Sequence, residues 1–145
     1  ELNALENYLH VEKVRFGANL VYQIAANQEA RSLKTPRYLV QPLIENAIKY
    51  GQQTSPIPLS ILIQAQLAGA ELHLSVENTG SWVEPSSATL RGKDNGIGIG
   101  VINLHRRLNL IYGNRASLAY ETPSGLVLAR VTLPIVLATK ERANV

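Results

Sequence analysis

The sequence contains no cysteine, few charged residues and no long apolar run. Without cysteine, neither a disulfide framework nor a thiolate metal site can form. The 14 basic and 11 acidic residues give a net charge of +3. The basic residues are scattered rather than gathered into the stripe that is typical of nucleic-acid binding, so we expect no nucleic-acid partner. No run approaches the ~20 apolar residues that are needed to cross a bilayer, and no segment resembles a signal peptide.

The length of 145 residues and the hydrophobic content of 46% suit one globular domain. The chain begins at Glu1, within a predicted helix, so we expect it to be a fragment of a longer protein. We expect residues 1–17 to be the end of an upstream helical region. Residues 18–137 should form the domain itself, and residues 138–145 a C-terminal tail.

The spacing of apolar residues predicts three helices, over residues 1–17, from about Leu39, after the break at Pro36, to about Gly51, and from about Gly100 to Tyr112. Alternating patterns predict strands at 19–25, 59–65, 72–76, 117–120 and 126–133. Most of these strands come as hairpins, with helices between them. This order predicts an α/β fold, a two-layer sandwich in which about three helices cover one face of a mixed sheet.

The segment from Gln41 to Gly51 carries the first candidate site residues. Its apolar residues form one stripe, and we expect Asn46 and Lys49 to share the opposite face, with Glu45 and Tyr50 beside them. An asparagine oxygen is a suitable ligand for Mg²⁺, and a lysine offers a point charge to a phosphate. A solvated polar helix face is the alternative interpretation of the same spacing.

Two further segments have the composition of a nucleotide site. The glycines of residues 96–100 open the third helix, where backbone N–H groups and the helix dipole favour a phosphate. A flexible hinge is the alternative there, and the glycine spacing does not fit a dinucleotide-binding fingerprint. Asn78 and Gly80 end a strand, so that the amide could bind a base edge and the glycine could admit a flat ring. A simple turn is the alternative for that segment.

In order and spacing, these segments resemble the Bergerat ATP-binding fold of gyrase, the ninety-kilodalton heat-shock chaperone, histidine kinases and MutL. The LytS-like branch of sensor histidine kinases is the most similar. The resemblance rests on the opening Tyr8-Leu9, Glu12-Lys13 and Arg15-Phe16, on the N box Gln41-Pro42-Leu43 with Glu45-Asn46-Ala47, and on the G2 box from Gly96 to Gly100 with Asn103 and Arg107-Leu108.

The resemblance implies a role for each of these residues. Glu45 and Asn46 would be catalytic, with Asn46 as the Mg²⁺ ligand. Lys49 and Tyr50 would lie near the phosphates and ribose. The other ATP-binding residues would be Asn78, Gly80, Trp82, Gly96, Ile97, Gly98, Ile99, Gly100 and Asn103. Residues 83–95 would form a mobile ATP lid.

Four positions depart from the pattern of the family, among them Gly125, which lacks the threonine that often follows the last glycine of the fold. Asn78 replaces an aspartate, which removes charge assistance from the contact with adenine. Trp82 replaces a glycine and could instead pack against the base. Pro42 stands where many kinases have an asparagine.

The resemblance also implies partners and a location. It predicts Mg·ATP as the phosphate donor, a phosphoacceptor histidine on an upstream helix, and a response regulator as a partner. It implies a cytoplasmic domain, in a homodimeric parent protein anchored in the membrane. A regulatory module that binds nucleotide without phosphotransfer, and an interaction domain with an empty pocket, are the alternatives.

Overall fold

A computed structural model describes residues 2–33, 35, 38–82 and 97–135 of the chain. The predicted lid, residues 83–95, and the predicted tail, residues 138–145, lie outside the described residues. Four α-helices are present in the described part: α1 (Leu2–Phe16), α2 (Gln28–Ser32), α3 (Gln41–Thr54) and α4 (Ile97–Tyr112). Within those ranges, no helix is both long and apolar enough to span a membrane.

Five strands form one mixed sheet: β1 (Leu20–Ala26), β2 (Leu59–Ala68), β3 (Glu71–Thr79), β4 (Ser117–Glu121) and β5 (Leu126–Pro134). Their order across the sheet is β1-β2-β3-β5-β4. β1 pairs with β2 in parallel, and the other neighbours are antiparallel. The predicted two-layer α/β sandwich with a mixed sheet is therefore confirmed.

The alternation of the strands explains why the helices cover only one face. In β2 and β3, every second residue is buried, from Leu59 to Ala65 and from Leu72 to Asn78. The residues between them are only half-buried, as expected for a sheet that packs on one side. The helices bury their apolar stripes against that side, and Leu5 and Leu9 of α1 are fully buried in the same core. The assignment of residues 1–17 to an upstream region stays a prediction.

Two helix boundaries differ from the sequence-based expectation. α3 continues to Thr54 instead of ending near Gly51. Gly51 is buried inside the helix, where a Cβ would lie only 2.5 Å from Leu59 Cδ1, so this glycine allows close packing rather than ending the helix. α4 begins at Ile97 rather than near Gly100, so that Gly98 and Gly100 lie in its first turn. The short helix α2 was not predicted. Its cap is Asn27, whose side chain accepts a hydrogen bond from the Ala30 N–H.

Candidate functional site

A cavity lies between α3 and the part of the sheet formed by β3, β5 and β4. We call it the α3–sheet cavity, and its lining consists of Leu43, Asn46, Ala47, Tyr50, Val76, Asn78, Ser81, Trp82, Tyr120, Val127 and Ala129. Its floor is made of paired strand residues: Val76 pairs with Ala129, which pairs with Tyr120, and Asn78 pairs with Val127. The floor is therefore apolar except at Asn78 and at the Tyr120 hydroxyl.

α3 turns one continuous face towards this cavity. Its lining residues are Leu43, Asn46, Ala47 and Tyr50, which follow the spacing of a single helical face. Pro42 occupies the first turn, where the missing N–H costs no hydrogen bond. The expectation that Asn46 lies on the face opposite the apolar stripe is therefore wrong. Asn46 stands three residues after Leu43, within the stripe, and is buried with 9% exposure.

Two buried polar atoms at the cavity have no hydrogen-bond partner within the protein, Nδ2 of Asn46 and the hydroxyl of Tyr120. Burial raises the pKa of Tyr120, and the interaction of its hydroxyl with the nearby Asn46 side chain partly lowers this pKa again. The two groups are therefore close to each other without completing a hydrogen bond. A buried polar group without a partner costs about 1–3 kcal/mol, so a ligand that supplied partners here would recover that free energy.

Asn78 is held in one orientation by its neighbour. It is 6% exposed, and its Nδ2 donates a hydrogen bond to the Thr79 carbonyl at 2.8 Å. Oδ1 is consequently the amide atom that remains for a ligand in the cavity. An aspartate could not donate to the Thr79 carbonyl, so the departure from the family pattern provides a bond that the usual residue lacks.

The backbone after β3 is held from both sides. The Gly80 N–H donates to the Gly125 carbonyl at 2.9 Å, and the Ser81 N–H donates to Thr54 Oγ1 at 3.0 Å. Thr54 Oγ1 in turn donates to the Tyr50 carbonyl at 2.9 Å. Gly80 has φ 131°, and a Cβ there would collide with Thr54 Oγ1. Only glycine fits this position, which joins the end of α3 to the rim of the cavity.

Trp82 and Tyr120 meet across the cavity. Their ring centroids are 4.9 Å apart and their planes form an angle of 62°, an edge-to-face arrangement. Trp82 follows the fixed residues Gly80 and Ser81, whereas Tyr120 comes from β4 at the edge of the sheet. The free volume that remains inside the cavity is about 30 Å³. This is room for about one water molecule.

The start of α4 lies beside the start of α3. A Cβ at Gly100 would lie 3.6 Å from Pro42 Cβ, so this glycine brings the two helices close together. Arg107 donates to the Tyr38 carbonyl at 3.1 Å and thereby ties α4 to the loop before α3. Gly96 lies outside the described residues. Ile97, Gly98 and Ile99 belong to the first turn of α4.

Of the predicted site residues, Asn46, Tyr50, Asn78 and Trp82 line the cavity, whereas Gly80, Gly100 and three polar residues do not. Glu45 is exposed on α3, where its Oε1 accepts a hydrogen bond from Gln41 Nε2 at 3.3 Å. Lys49 is half-buried, with its Nζ 5.5 Å from the centroid of the Tyr50 ring. Asn103 is exposed on α4.

Tyr120 is the cavity residue that the sequence analysis did not select. A single tyrosine in a short strand carries no motif, and the pairing that turns it inward involves residues of β5. Val127 and Ala129 were likewise expected only as strand residues. The roles assigned to the site residues stay predictions, since the structure shows their positions and not their activity.

Several histidine kinases of known structure share this architecture. The nucleotide-free catalytic domain of histidine kinase ThkA superposes with a TM-score of 0.59 at 19% identity, over 92% of this chain and 94% of that one. The histidine kinase domain of Erythrobacter litoralis EL346 gives 0.60 at 17% identity, over 88% of this chain and 56% of that one. The fold is therefore that of histidine kinase catalytic domains.

The sequence comparison agrees with the fold. The sensor protein kinase HptS of Staphylococcus aureus is 32% identical over 126 residues, which are 81% of this chain. The chain spans 24% of the length of that relative. No family model matches the chain. Together with the fold, this similarity relates the chain to the catalytic domains of sensor histidine kinases. The predicted relationship to sensor histidine kinases is confirmed, the LytS-like subfamily stays a prediction, and neither alternative interpretation is favoured.

Proposed function

We propose that the chain binds Mg·ATP in the α3–sheet cavity and transfers the γ-phosphate to a histidine elsewhere in the parent protein. One observation carries the proposal. Asn46 and Asn78 come from different elements, and both bring side-chain amides with an unengaged polar atom to the same apolar cavity. An apolar cavity with a few convergent polar groups is the usual form of a small-molecule site.

The base would be recognised by Asn78. Because its Nδ2 is engaged by the Thr79 carbonyl, Oδ1 is directed to accept a hydrogen bond. The amino group of adenine donates such a bond, whereas guanine presents an acceptor oxygen at the corresponding position. The geometry therefore favours adenine, although an amide gives a weaker contact than a carboxylate would.

The metal would be held by the phosphates and Asn46. Within the described residues, no group of three or more His, Cys, Asp or Glu side chains could hold a metal. This fits an ion that takes most of its ligands from phosphates and water. Bound Mg²⁺ would neutralise the charge of the phosphates. The side chain of Asn46 is buried at the cavity, so its amide is positioned with little freedom to move.

The phosphates would extend towards the glycines of α4. Gly98 and Gly100 lie in the first turn of this 16-residue helix, beside the start of α3. The free N–H groups and the positive end of the helix dipole favour an anion there. Ile97, Ile99, Asn103 and Gly96 would complete this region, with residues 83–95 as the lid.

Glu45 and Lys49 would act at the rim rather than inside the cavity. Glu45 is exposed one residue before Asn46, where a histidine that approaches from outside could reach it. Lys49 would place its charge near the phosphates. Positioning and charge neutralisation would supply most of the catalysis, since phosphoryl transfer demands little covalent chemistry from the protein.

The wider assignments extend this proposal to the parent protein. They are the LytS-like subfamily, a response regulator as the phosphate acceptor of the parent kinase, a homodimeric parent and a membrane anchor that leaves this domain in the cytoplasm. They rest on the motif resemblance stated above and on the sensor kinase relative.

Thermal unfolding with and without nucleotide tests the proposal. Mg·ADP at ~100 times its Kd should add roughly 2.7 kcal/mol to the free energy of unfolding. Mg·GDP at the same concentration should add less, because we expect binding at least about tenfold weaker if the Asn78 bond is lost. Equal shifts would contradict the assignment of Asn78 to the base, and no shift with either nucleotide would contradict the nucleotide site itself.

A further inference from the structure

The α3–sheet cavity is too small for the ligand proposed for it. Its free volume is about 30 Å³, whereas sites that enclose small molecules are typically about 300–1,000 Å³. A bicyclic base therefore cannot enter unless the lining moves. Some of the lining residues must therefore move when a base binds, while the others stay in place.

Most of the lining cannot easily move. Val76, Val127 and Ala129 belong to paired strands at the centre of the sheet, and α3 is packed by the buried residues Ile44 and Ile48. Gly80 and Ser81 are held by hydrogen bonds to Gly125 and Thr54. The two aromatic side chains differ from these groups. Trp82 and Tyr120 are each only partly buried, and their contact joins the end of β3 to the edge strand β4.

The hydroxyl of Tyr120 suggests the role of that ring when a ligand is present. It is buried without a partner beside the buried Asn46 Nδ2, which has no partner either. Two buried polar groups without hydrogen-bond partners lower the stability of the protein. A ligand that reaches between the two rings would meet an aromatic face and a hydroxyl donor from the same side chain.

We propose that Tyr120 is a nucleotide-positioning residue, and that its ring and that of Trp82 separate to receive the base and then flank it. The Tyr120 hydroxyl then donates a hydrogen bond to the bound nucleotide. This inference rests on the proposed function, because it assigns further residues to the same site. The two rings contact each other within the lining of the cavity, so that binding of the base between them requires this contact to break.

Trp82 provides a direct readout, since it is the only tryptophan in the chain. Its fluorescence should change when Mg·ADP saturates the protein, with binding measured independently by titration calorimetry. Calorimetric binding with unchanged Trp82 fluorescence would overturn the inference and leave the proposed function intact. Absence of calorimetric binding would overturn both.

Tyr120→Phe separates a positioning role from a structural one. The variant keeps the ring and removes the unpartnered hydroxyl, so the melting temperature of the nucleotide-free protein should stay equal or rise. Its Kd for Mg·ADP should be roughly 3- to 10-fold weaker, as expected for one lost hydrogen bond. Tyr22→Phe, on β1 at the opposite edge of the sheet, is the matched control and should leave the Kd unchanged.

Two results would contradict the positioning role. An unchanged Kd in Tyr120→Phe would show that the hydroxyl does not contact the nucleotide. A lowered melting temperature with an unchanged Kd would show that Tyr120 serves only the packing of β4.

Discussion

The two halves of the space beneath the sheet are filled differently. Under β1 and β2, the inward residues Leu20, Ile61 and Ile63, with Leu5 and Leu9 from α1, are 0–1% exposed. Under β3, β5 and β4, a cavity remains between the sheet and α3, and polar side chains replace part of the apolar packing. The first half supplies stability, whereas the second half gives up some stability at the place where we propose that the nucleotide binds.

α3 takes part in both halves. Ile44 and Ile48 belong to the filled core, whereas Asn46 and Tyr50 line the cavity. Neighbouring residues of one helix therefore have different roles. Substitutions of the core residues of α3 should lower stability, whereas substitutions of its cavity residues should weaken nucleotide binding.

Ile44→Ala should destabilise the protein most. Ile44 is 0% exposed, and the removal of a buried aliphatic side chain costs about 2–5 kcal/mol because a cavity remains. Urea unfolding measures the loss, and Val14→Ala, at a position that is 74% exposed, is the control with a change within about 0.5 kcal/mol. The Kd of the folded variant for Mg·ADP should stay unchanged. A large loss of affinity in conditions where the variant is folded would show that the two halves are not separable.

Gly80→Ala should have the next largest effect. The alanine would have to adopt a backbone φ of 131°, and its Cβ would collide with Thr54 Oγ1. The resulting strain of about 1–3 kcal/mol should be accompanied by displacement of the cavity rim. Gly69→Ala is the matched control, because Gly69 also has positive φ, at 61°, but no atom lies within 4 Å of its Cβ position. Unfolding and Mg·ADP titration of both variants are the measurements. We expect weaker binding of Mg·ADP only in Gly80→Ala, and equal binding in the two variants would contradict a role of Gly80 at the rim of the cavity.

Asn46→Ala should leave stability nearly unchanged and affect binding. The free energy of unfolding should remain within about 1 kcal/mol of the wild-type value, because the buried Nδ2 has no partner to lose. The magnesium-dependent part of nucleotide binding should disappear, as measured by titrations with and without Mg²⁺. Gln53→Ala, an exposed change on the same helix, should preserve it. Retention of the metal dependence in Asn46→Ala would remove Asn46 as the metal ligand.

Tyr8→Phe should have the smallest effect, and only at alkaline pH. Burial and the negative charges of Glu12 and Glu45 raise the pKa of Tyr8 from 10.0 to about 12. Between these values the unfolded chain loses the proton first, so that ionisation favours unfolding and stability falls as pH rises. The wild-type protein should therefore lose more stability than Tyr8→Phe when urea unfolding is repeated from about pH 9 to about pH 11.5. Equal losses of stability in the wild-type protein and in Tyr8→Phe would contradict the raised pKa of Tyr8.

The sequence was sufficient to predict the layers of the fold because they follow from local periodicity. The alternation in β2 and β3 and the stripes of the helices are visible in short windows. The bounds at Gly51 and Ile97 were less accurate, since tertiary packing decides them. Gly51 is inside α3 because Leu59 fills the space beside it, and that contact crosses from α3 to β2.

The candidate site was predicted only in part, for a related reason. Asn46, Asn78 and Trp82 belong to motifs, so the sequence singled them out, and the structure brings them to one cavity. The inward direction of Asn46 was missed because a polar residue was assumed to avoid the apolar stripe. Tyr120 could not be found, because its position depends on the pairing of β4 with β5 and on a ring contact with Trp82.

The central claim is that the α3–sheet cavity receives the nucleotide. The most direct test is a titration with Mg·ADP followed by NMR, with the side-chain amides of Asn46 and Asn78 and the indole of Trp82 assigned. The account predicts that these three signals shift together, with the same saturation. Shifts confined to a different groove of the described residues, such as the one between His105 of α4 and Leu118 of β4, would contradict it.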